Sequence, residues 1–173
     1  MEYDETFNDL LSADDDLSAL LLKCKTIGFK GLSKEEQDVL HFALFEVVEK
    51  IPQSYYVYLS GWDARPVDTS ITATYAGIHH PSGDVKKISL FTGQLTRGSW
   101  SEGSSNSFHW VVPGWSRGVT EPGSSGSPLF NSAGQVIGQL HGGSSACDNL
   151  AGADLYGGLA FNMPGSGRSD SSL

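Results

Sequence analysis

Apolar residues follow a helical period in the first third of this chain. Ser33 and Glu36 have the S-x-x-E spacing of a helix capping box. The apolar positions that follow recur along one helix face: Val39, Leu40, Ala43, Leu44, Val47, Val48 and Ile51. A weaker pattern of the same kind covers residues 4–23. We therefore predict helices at 4–23 and 34–50, with the second helix ending before Pro52.

After Pro52 the pattern changes to short β-branched and aromatic runs between turn residues. The predicted strands are 55–60, 71–79, 85–92, 108–112, 127–130, 135–141 and 155–161. Many short strands over residues 51–162 are typical of a barrel or a sandwich. The Gly- and Ser-rich residues 163–173 are predicted to form a disordered tail. The chain thus divides into a helical segment at 1–50, a mainly β domain at 51–162 and a tail.

Charge divides the chain at the same place. The net charge is −9 over 173 residues, and residues 1–50, with 12 acidic and 5 basic side chains, account for −7 of it. Nucleic acids and anionic membranes bind basic faces, so we expect neither as a partner. No apolar run approaches the ~18 residues of a membrane span. The acidic start at 1–5 is not a signal peptide as written, and localisation stays open.

Two cysteines, Cys24 and Cys147, lack the C-x-x-C spacing of a structural zinc site. No metal ion and no cofactor is predicted. The two cysteines could close one disulfide, but without a secretion signal we favour two free thiols.

The most informative run is the sequence Gly-Ser-Ser-Gly-Ser-Pro at 123–128. A serine between glycines on a tight turn can expose its hydroxyl, and the surrounding backbone N–H groups can converge on one point. Acyl transfer needs this combination of a nucleophile and an oxyanion hole. Taken alone, the run favours the alternative of an ordinary Gly/Ser turn between two strands.

The surrounding sequence resembles the trypsin-like serine endopeptidases, and among them the bacterial lysyl endopeptidases. The matching blocks keep the family's order, and they are 59–63, 78–81, 85–89, 118–128 and 140–147. The resemblance covers about residues 51–161. It implies a trypsin-like antiparallel β-barrel, the second of the two barrels in such enzymes, and a family of secreted endopeptidases that cleave after Lys.

The resemblance also implies roles for individual residues. Ser125 would be the nucleophile, and the N–H groups of Gly123 and Ser125 would form the oxyanion hole. Asp154 would lie at the base of the specificity pocket and pair with a basic substrate side chain, although it also fits an ordinary turn aspartate. Trp100 and His141 resemble an aromatic pair that lines the cleft, with a core or loop tryptophan as the alternative for Trp100.

The family's catalytic base has no counterpart in this sequence. The T-A-(A/G)-H-C block that carries it is absent, and His79 and His80 match a structural block. The family's acid falls at His41, or at Asp16 if a long insertion is allowed. The first alignment requires a strand at 42–47, in conflict with the helical pattern there, and we favour the helix.

We expect a serine endopeptidase by descent that is truncated and weakly active or inactive alone. The alternatives are a non-catalytic pseudoprotease that binds basic peptides, and a fragment of a longer gene product. A single barrel leaves one face exposed, which favours homo-oligomers unless residues 1–50 cover that face.

Overall fold

The computed structural model describes residues 51–58, 60–100 and 107–162, and the backbone of two short strands at 24–27 and 44–47. These residues fall into two compact units. In the first unit, strand β1 (Cys24–Ile27) pairs antiparallel with β2 (Leu44–Val47). A 3₁₀ turn follows at Gln53–Tyr55.

The helix predicted at 34–50 is wrong at its centre, because residues 44–47 form β2. The backbone groups of β2 are satisfied by a partner that lies about twenty residues earlier in the chain, in β1. A local apolar period does not reveal such a distant partner, and pairing overrides helix propensity. The predicted helix at 4–23, the rest of 34–50 and the predicted tail at 163–173 lie outside the described residues.

Seven antiparallel strands build the second unit as a half-barrel. The strands are β3 (Ala73–His79), β4 (Lys87–Gly93), β5 (Thr96–Gly98), β6 (His109–Val112), β7 (Pro128–Phe130), β8 (Val136–Gly143) and β9 (Asp154–Gly158). Their order across the sheet is β4-β3-β7-β8-β9-β6-β5. A short helix, α1 (Leu159–Asn162), follows β9. The mainly β, trypsin-like fold that the resemblance implied is confirmed.

Six of the seven predicted strands correspond to strands of the sheet, with ends that differ by a few residues. The strand predicted at 55–60 is wrong, because its described part is a 3₁₀ turn and irregular chain. The sheet is joined slightly later, at Trp62, which forms a parallel bridge with Val136. The sequence analysis missed β5, which is only three residues long, and Phe161 lies in α1 rather than in β9.

Inward-facing side chains of all the longer strands fill one apolar core. Its largest fully buried members are Trp110, Tyr156, Leu95, Leu129, Ile137, Leu140 and Val112. Alternation along β3 turns Tyr75, Gly77 and His79 inward. Gly77 lies there because a Cβ would press against the rings of Trp115 and Tyr156. Strand β3 thereby carries one polar residue, His79, into the interior at its end.

No helix in the described parts of the chain is long and apolar enough to cross a membrane.

Candidate active site

Two consecutive tight turns present Ser125 to solvent. In the first turn, the Ser124 N–H donates to the Glu121 carbonyl over 3.0 Å, and in the second the Ser127 N–H donates to the Ser124 carbonyl over 3.1 Å. The third residue of each turn is a glycine with positive φ, 92° at Gly123 and 79° at Gly126, as a type II turn requires. Ser125 is therefore exposed at the second position of its turn.

We call the segment from Glu121 to Ser127 the serine turn. Some of its backbone N–H groups donate hydrogen bonds and others do not. The N–H groups of Ser124, Gly126 and Ser127 donate to backbone carbonyls, and Gly126 reaches the Leu140 carbonyl on β8 over 2.7 Å. Within the described residues, the N–H groups of Gly123 and Ser125 make no hydrogen bond. The serine turn thus leaves two donors unengaged, one on each side of Ser124.

The side chain of Ser124 points into the interior, where only 1% of the residue is exposed. Its Oγ lies 3.0 Å from Nδ1 of His79, and Nε2 of His79 lies 3.0 Å from Oγ of Ser89. The Ser89 hydroxyl donates to the Val119 carbonyl over 2.8 Å. Since Ser89 has only one hydrogen, it accepts from Nε2–H of His79. Nδ1 of the neutral ring therefore accepts from the Ser124 hydroxyl.

His79 belongs in this network as a neutral ring. It is 2% exposed, and burial lowers the pKa of His79 below its ordinary value, partly offset by the negative charge of Asp154. The neutral Nε2–H tautomer satisfies both ring nitrogens at once, so the buried imidazole leaves no polar atom unpaired.

Glu121 connects the serine turn to two neighbouring loops. One carboxylate oxygen accepts from the Ser82 hydroxyl at 2.9 Å, and the other accepts from the Cys147 N–H at 3.1 Å. Ser82 also donates its N–H to the Pro122 carbonyl over 2.7 Å. Cys147 is an exposed free thiol, and the Glu121 carboxylate beside it raises the pKa of Cys147.

Asp154 lies fully buried at the start of β9. Three donors converge on its Oδ2: Trp115 Nε1 at 2.6 Å, Ser145 Oγ at 2.7 Å and Thr120 Oγ1 at 2.8 Å. Its Oδ1 is also buried, and it has no hydrogen-bond donor among the described residues. The carboxylate therefore has one saturated oxygen and one oxygen able to accept from a further donor.

Two glycines allow the backbone to pass close to Asp154. A Cβ on Gly143, which pairs with Asp154 across β8 and β9, would collide with Oδ1 and with the Ala153 carbonyl. A Cβ on Gly152 would collide with the backbone of Ser144 and Ser145. Side chains at these positions would displace the β8–β9 loop that carries Ser145, one of the three Oδ2 donors.

Trp100 and His141 stack on each other, with ring centroids 3.9 Å apart and planes 17° apart. His141 lies at a shift in the β8–β9 register between Leu140 and Gly142, which is a bulge that redirects its side chain. Nδ1 of His141 lies 2.9 Å from Nε2 of the buried His109. The two aromatic residues singled out in the sequence are thus neighbours.

The described histidines bond to groups other than the Ser125 hydroxyl. His80 Nδ1 binds the Asp84 carbonyl, while His79, His109 and His141 have the partners given above. His41 lies outside the described residues, as do Asp16 and the side chain of Cys24. In the described part of the chain, Ser125 therefore lies on a turn with two unengaged N–H groups, and no described histidine is bonded to its hydroxyl.

Fold and turn together define a trypsin-like β-barrel protein. The family model of the lysyl endopeptidase C-terminal domain matches residues 23–157, and the chain belongs to this family. The match begins well before residue 51 and includes β1 and β2. Among solved structures, an inactive serine-to-alanine mutant of Rv3671c from M. tuberculosis H37Rv aligns with a TM-score of 0.41 and 19% identity. That alignment covers 57% of this chain and 47% of the other.

Sequence reasoning missed the supporting residues of the site. Asp154 is held by Trp115 and Thr120 from the β6–β7 connection and by Ser145 from the β8–β9 connection, and the convergence of these two connections has no local sequence signal. His79 and Ser124 are 45 residues apart in sequence. A histidine at an inward position of an alternating strand was the available signal for a buried polar partner.

Proposed function

We propose that this protein is the nucleophile-bearing domain of a serine-type endopeptidase that cleaves after Lys. Ser125 would attack the substrate carbonyl, and the N–H groups of Gly123 and Ser125 would bind the oxyanion that forms. The observation that carries the proposal is the unengaged state, among the described residues, of these two amides, one of which belongs to the exposed Ser125 itself.

The preference for Lys rests on Asp154. Its Oδ1 is buried without a donor among the residues that the structure describes. A buried carboxylate oxygen without a partner is costly, and a substrate ammonium group would supply both the donor and the opposite charge. The stacked Trp100 and His141 would line the approach to this pocket.

On its own, we expect the chain to be weakly active or inactive. Ser125 needs a general base within hydrogen-bond reach, and the described histidines are engaged elsewhere. Oxyanion stabilisation without the base leaves a rate that is orders of magnitude below that of a complete triad.

The second candidate is a non-catalytic protein that binds basic peptides. The same two observations favour it, because an acceptor for an ammonium group needs no base at Ser125. In that case the serine turn would hold a peptide carbonyl without cleaving the peptide.

Labelling with a fluorophosphonate probe, located by mass spectrometry, tests the first candidate. Modification at Ser125 that is lost in Ser125→Ala and kept in Ser132→Ala supports it, since Ser132 is an exposed serine on a different turn. Saturable binding of a Lys peptide without labelling supports the second candidate. Absence of both labelling and binding at millimolar peptide would refute both.

A further inference from the structure

His79 is a buried polar residue to which the proposed chemistry gives no role. It does not face the substrate side of the serine turn, yet it binds the residue that lies between the two unengaged amides. We propose that His79 is a positioning residue, whose acceptance of the Ser124 hydroxyl orients the N–H groups of Gly123 and Ser125. This inference rests on the proposed function of the serine turn.

The contacts place His79 at the least supported half of the serine turn. The later half is tied to β8 by two backbone hydrogen bonds, Gly126 N–H to the Leu140 carbonyl and Leu140 N–H to the Ser127 carbonyl. Among the described residues, two hydrogen bonds hold the earlier half, Pro122 to Ser124, to the β3–β4 region: one from the Ser82 N–H to the Pro122 carbonyl and one from Ser124 to His79.

The Ser124 hydroxyl can donate to His79 only while the His79 ring is neutral. The Glu121 N–H lies 3.3 Å from the Ser124 Oγ and donates to it, so the Ser124 hydrogen is free to point to His79. A protonated His79 would carry hydrogens on both nitrogens and would donate to Ser124 instead. The Ser124 hydrogen would then have no acceptor in a site that is 1% exposed, and Ser124 would have to turn.

Protonation of His79 should therefore change the orientation of the serine turn. The charged or titratable groups near this network are Asp154, which favours the protonated ring, His80, which opposes it, Glu121 on the serine turn, and the Asp84–Lys87 ion pair after β3. The proposal does not depend on whether these groups together raise or lower the pKa of His79. It follows from the number of hydrogens shared between Ser124, His79 and Ser89.

Nitrogen NMR of the ¹⁵N-labelled protein tests the proposal without any need for catalysis. We expect the Nε2–H tautomer at neutral pH, and the Gly123 and Ser125 amide signals should shift in step as His79 titrates. Gly134, on the distant β7–β8 turn, is the internal reference and should not follow. If the Gly123 and Ser125 amide signals do not shift as His79 titrates, or if His79 is the Nδ1–H tautomer, the proposal is wrong.

Substitutions separate positioning from general stability. The side-chain oxygen of Asn can occupy the place of Nδ1, so His79→Asn should keep the bond from Ser124 and make the two amide signals independent of pH. His79→Phe, which removes the acceptor, should shift both signals at all pH values. If it does not fold, Ser124→Ala removes the same bond from the other side and should also shift both signals. Equal spectra for His79→Asn and Ser124→Ala would overturn the proposal.

Activity provides a second readout where labelling occurs. The labelling rate should fall about tenfold or more in Ser124→Ala, because a small displacement of the oxyanion donors is enough, and should largely survive in His79→Asn. If the wild-type protein is not labelled, the catalytic proposal fails while the NMR result still decides the positioning role. Labelling at the wild-type rate in Ser124→Ala would refute the positioning role alone.

Discussion

Asp154 is the residue at which stability and recognition can be separated by two substitutions. Asp154→Ala removes the acceptor for three donors, from Trp115, Thr120 and Ser145. Asp154→Asn keeps an oxygen in the place of Oδ2, removes the charge and puts an NH2 group in the buried place of Oδ1. The first variant should therefore lose stability, whereas the second should lose mainly the affinity for a basic side chain.

The loss of stability in Asp154→Ala depends on how many of the three donors are left without an acceptor. The Thr120 and Ser145 hydroxyls lie 2.9 Å apart, so one can donate to the other when the carboxylate is gone. The indole N–H of the buried Trp115 has no such substitute in the described network. One orphaned buried donor costs about 1–3 kcal/mol, and removing the unpaired Oδ1 offsets part of this. We expect Asp154→Ala to lower the free energy of unfolding by about 2 kcal/mol. Asp154→Asn keeps the acceptor for Trp115, and the loss of a buried charge offsets part of the cost of its new buried NH2 group, so we expect a smaller loss of about 1 kcal/mol.

Urea unfolding followed by tryptophan fluorescence measures both variants, and the binding of N-acetyl-lysine amide measures recognition. Norleucine amide, which lacks the ammonium group, is the matched ligand. Asp154→Asn should weaken Lys binding at least about tenfold, which is about 1.4 kcal/mol, and leave norleucine binding unchanged. Equal stability of Asp154→Ala and wild type would refute the assigned hydrogen-bond network, and unchanged Lys binding in Asp154→Asn would refute the pocket.

Three further predictions concern residues around this centre. Gly152→Ala should unfold at a lower urea concentration than Ser132→Ala, because its Cβ would collide with the backbone of Ser144 and Ser145 in the same β8–β9 connection. Equal unfolding midpoints for the two variants would contradict this close packing. Glu121→Gln should speed alkylation of Cys147 by iodoacetamide at pH 7.5, because the Glu121 carboxylate raises the pKa of Cys147, and an unchanged rate would show that this charge does not act on the thiol. The Arg65 guanidinium lowers the pKa of Asp63 to about 2 from 3.8, so this pair should stabilise the fold above pH 3.8 and lose that contribution as the pH falls toward 2. Proton NMR titration should therefore find a higher pKa for Asp63 in Arg65→Ala, and an unchanged value would refute the pairing.

The sequence predicted the parts of the fold that depend on local pattern. Alternation and turn residues located six strands, because a half-buried strand imposes its period on nearby residues. It failed at β2, where the backbone partner lies in β1, and at β5, which has three residues and is too short to show a period. Non-local pairing is the physical reason for the first failure.

The candidate site likewise has one part that the sequence predicted and another part that it did not. Ser125, Gly123 and Asp154 could be singled out because their neighbours in sequence match a known motif. The supporting contacts are distant in sequence, because His79 lies 45 residues from its partner Ser124 and Trp115 lies 39 residues from Asp154. Such partners follow only from the fold.

The serine turn and the buried acid form one connected structure. Thr120 donates its hydroxyl to Asp154 and its N–H to Ser145, while the next residue, Glu121, accepts from Ser82 and Cys147. The dipeptide at the entrance of the serine turn therefore bonds to Asp154 through Thr120 and to two neighbouring loops through Glu121. A substrate ammonium group that pulls on Asp154 would act on Thr120, one residue before the turn begins. If the proposed function holds, recognition of the side chain and orientation of the Gly123 and Ser125 N–H groups would be coupled through the dipeptide Thr120-Glu121, which lies within the half-barrel.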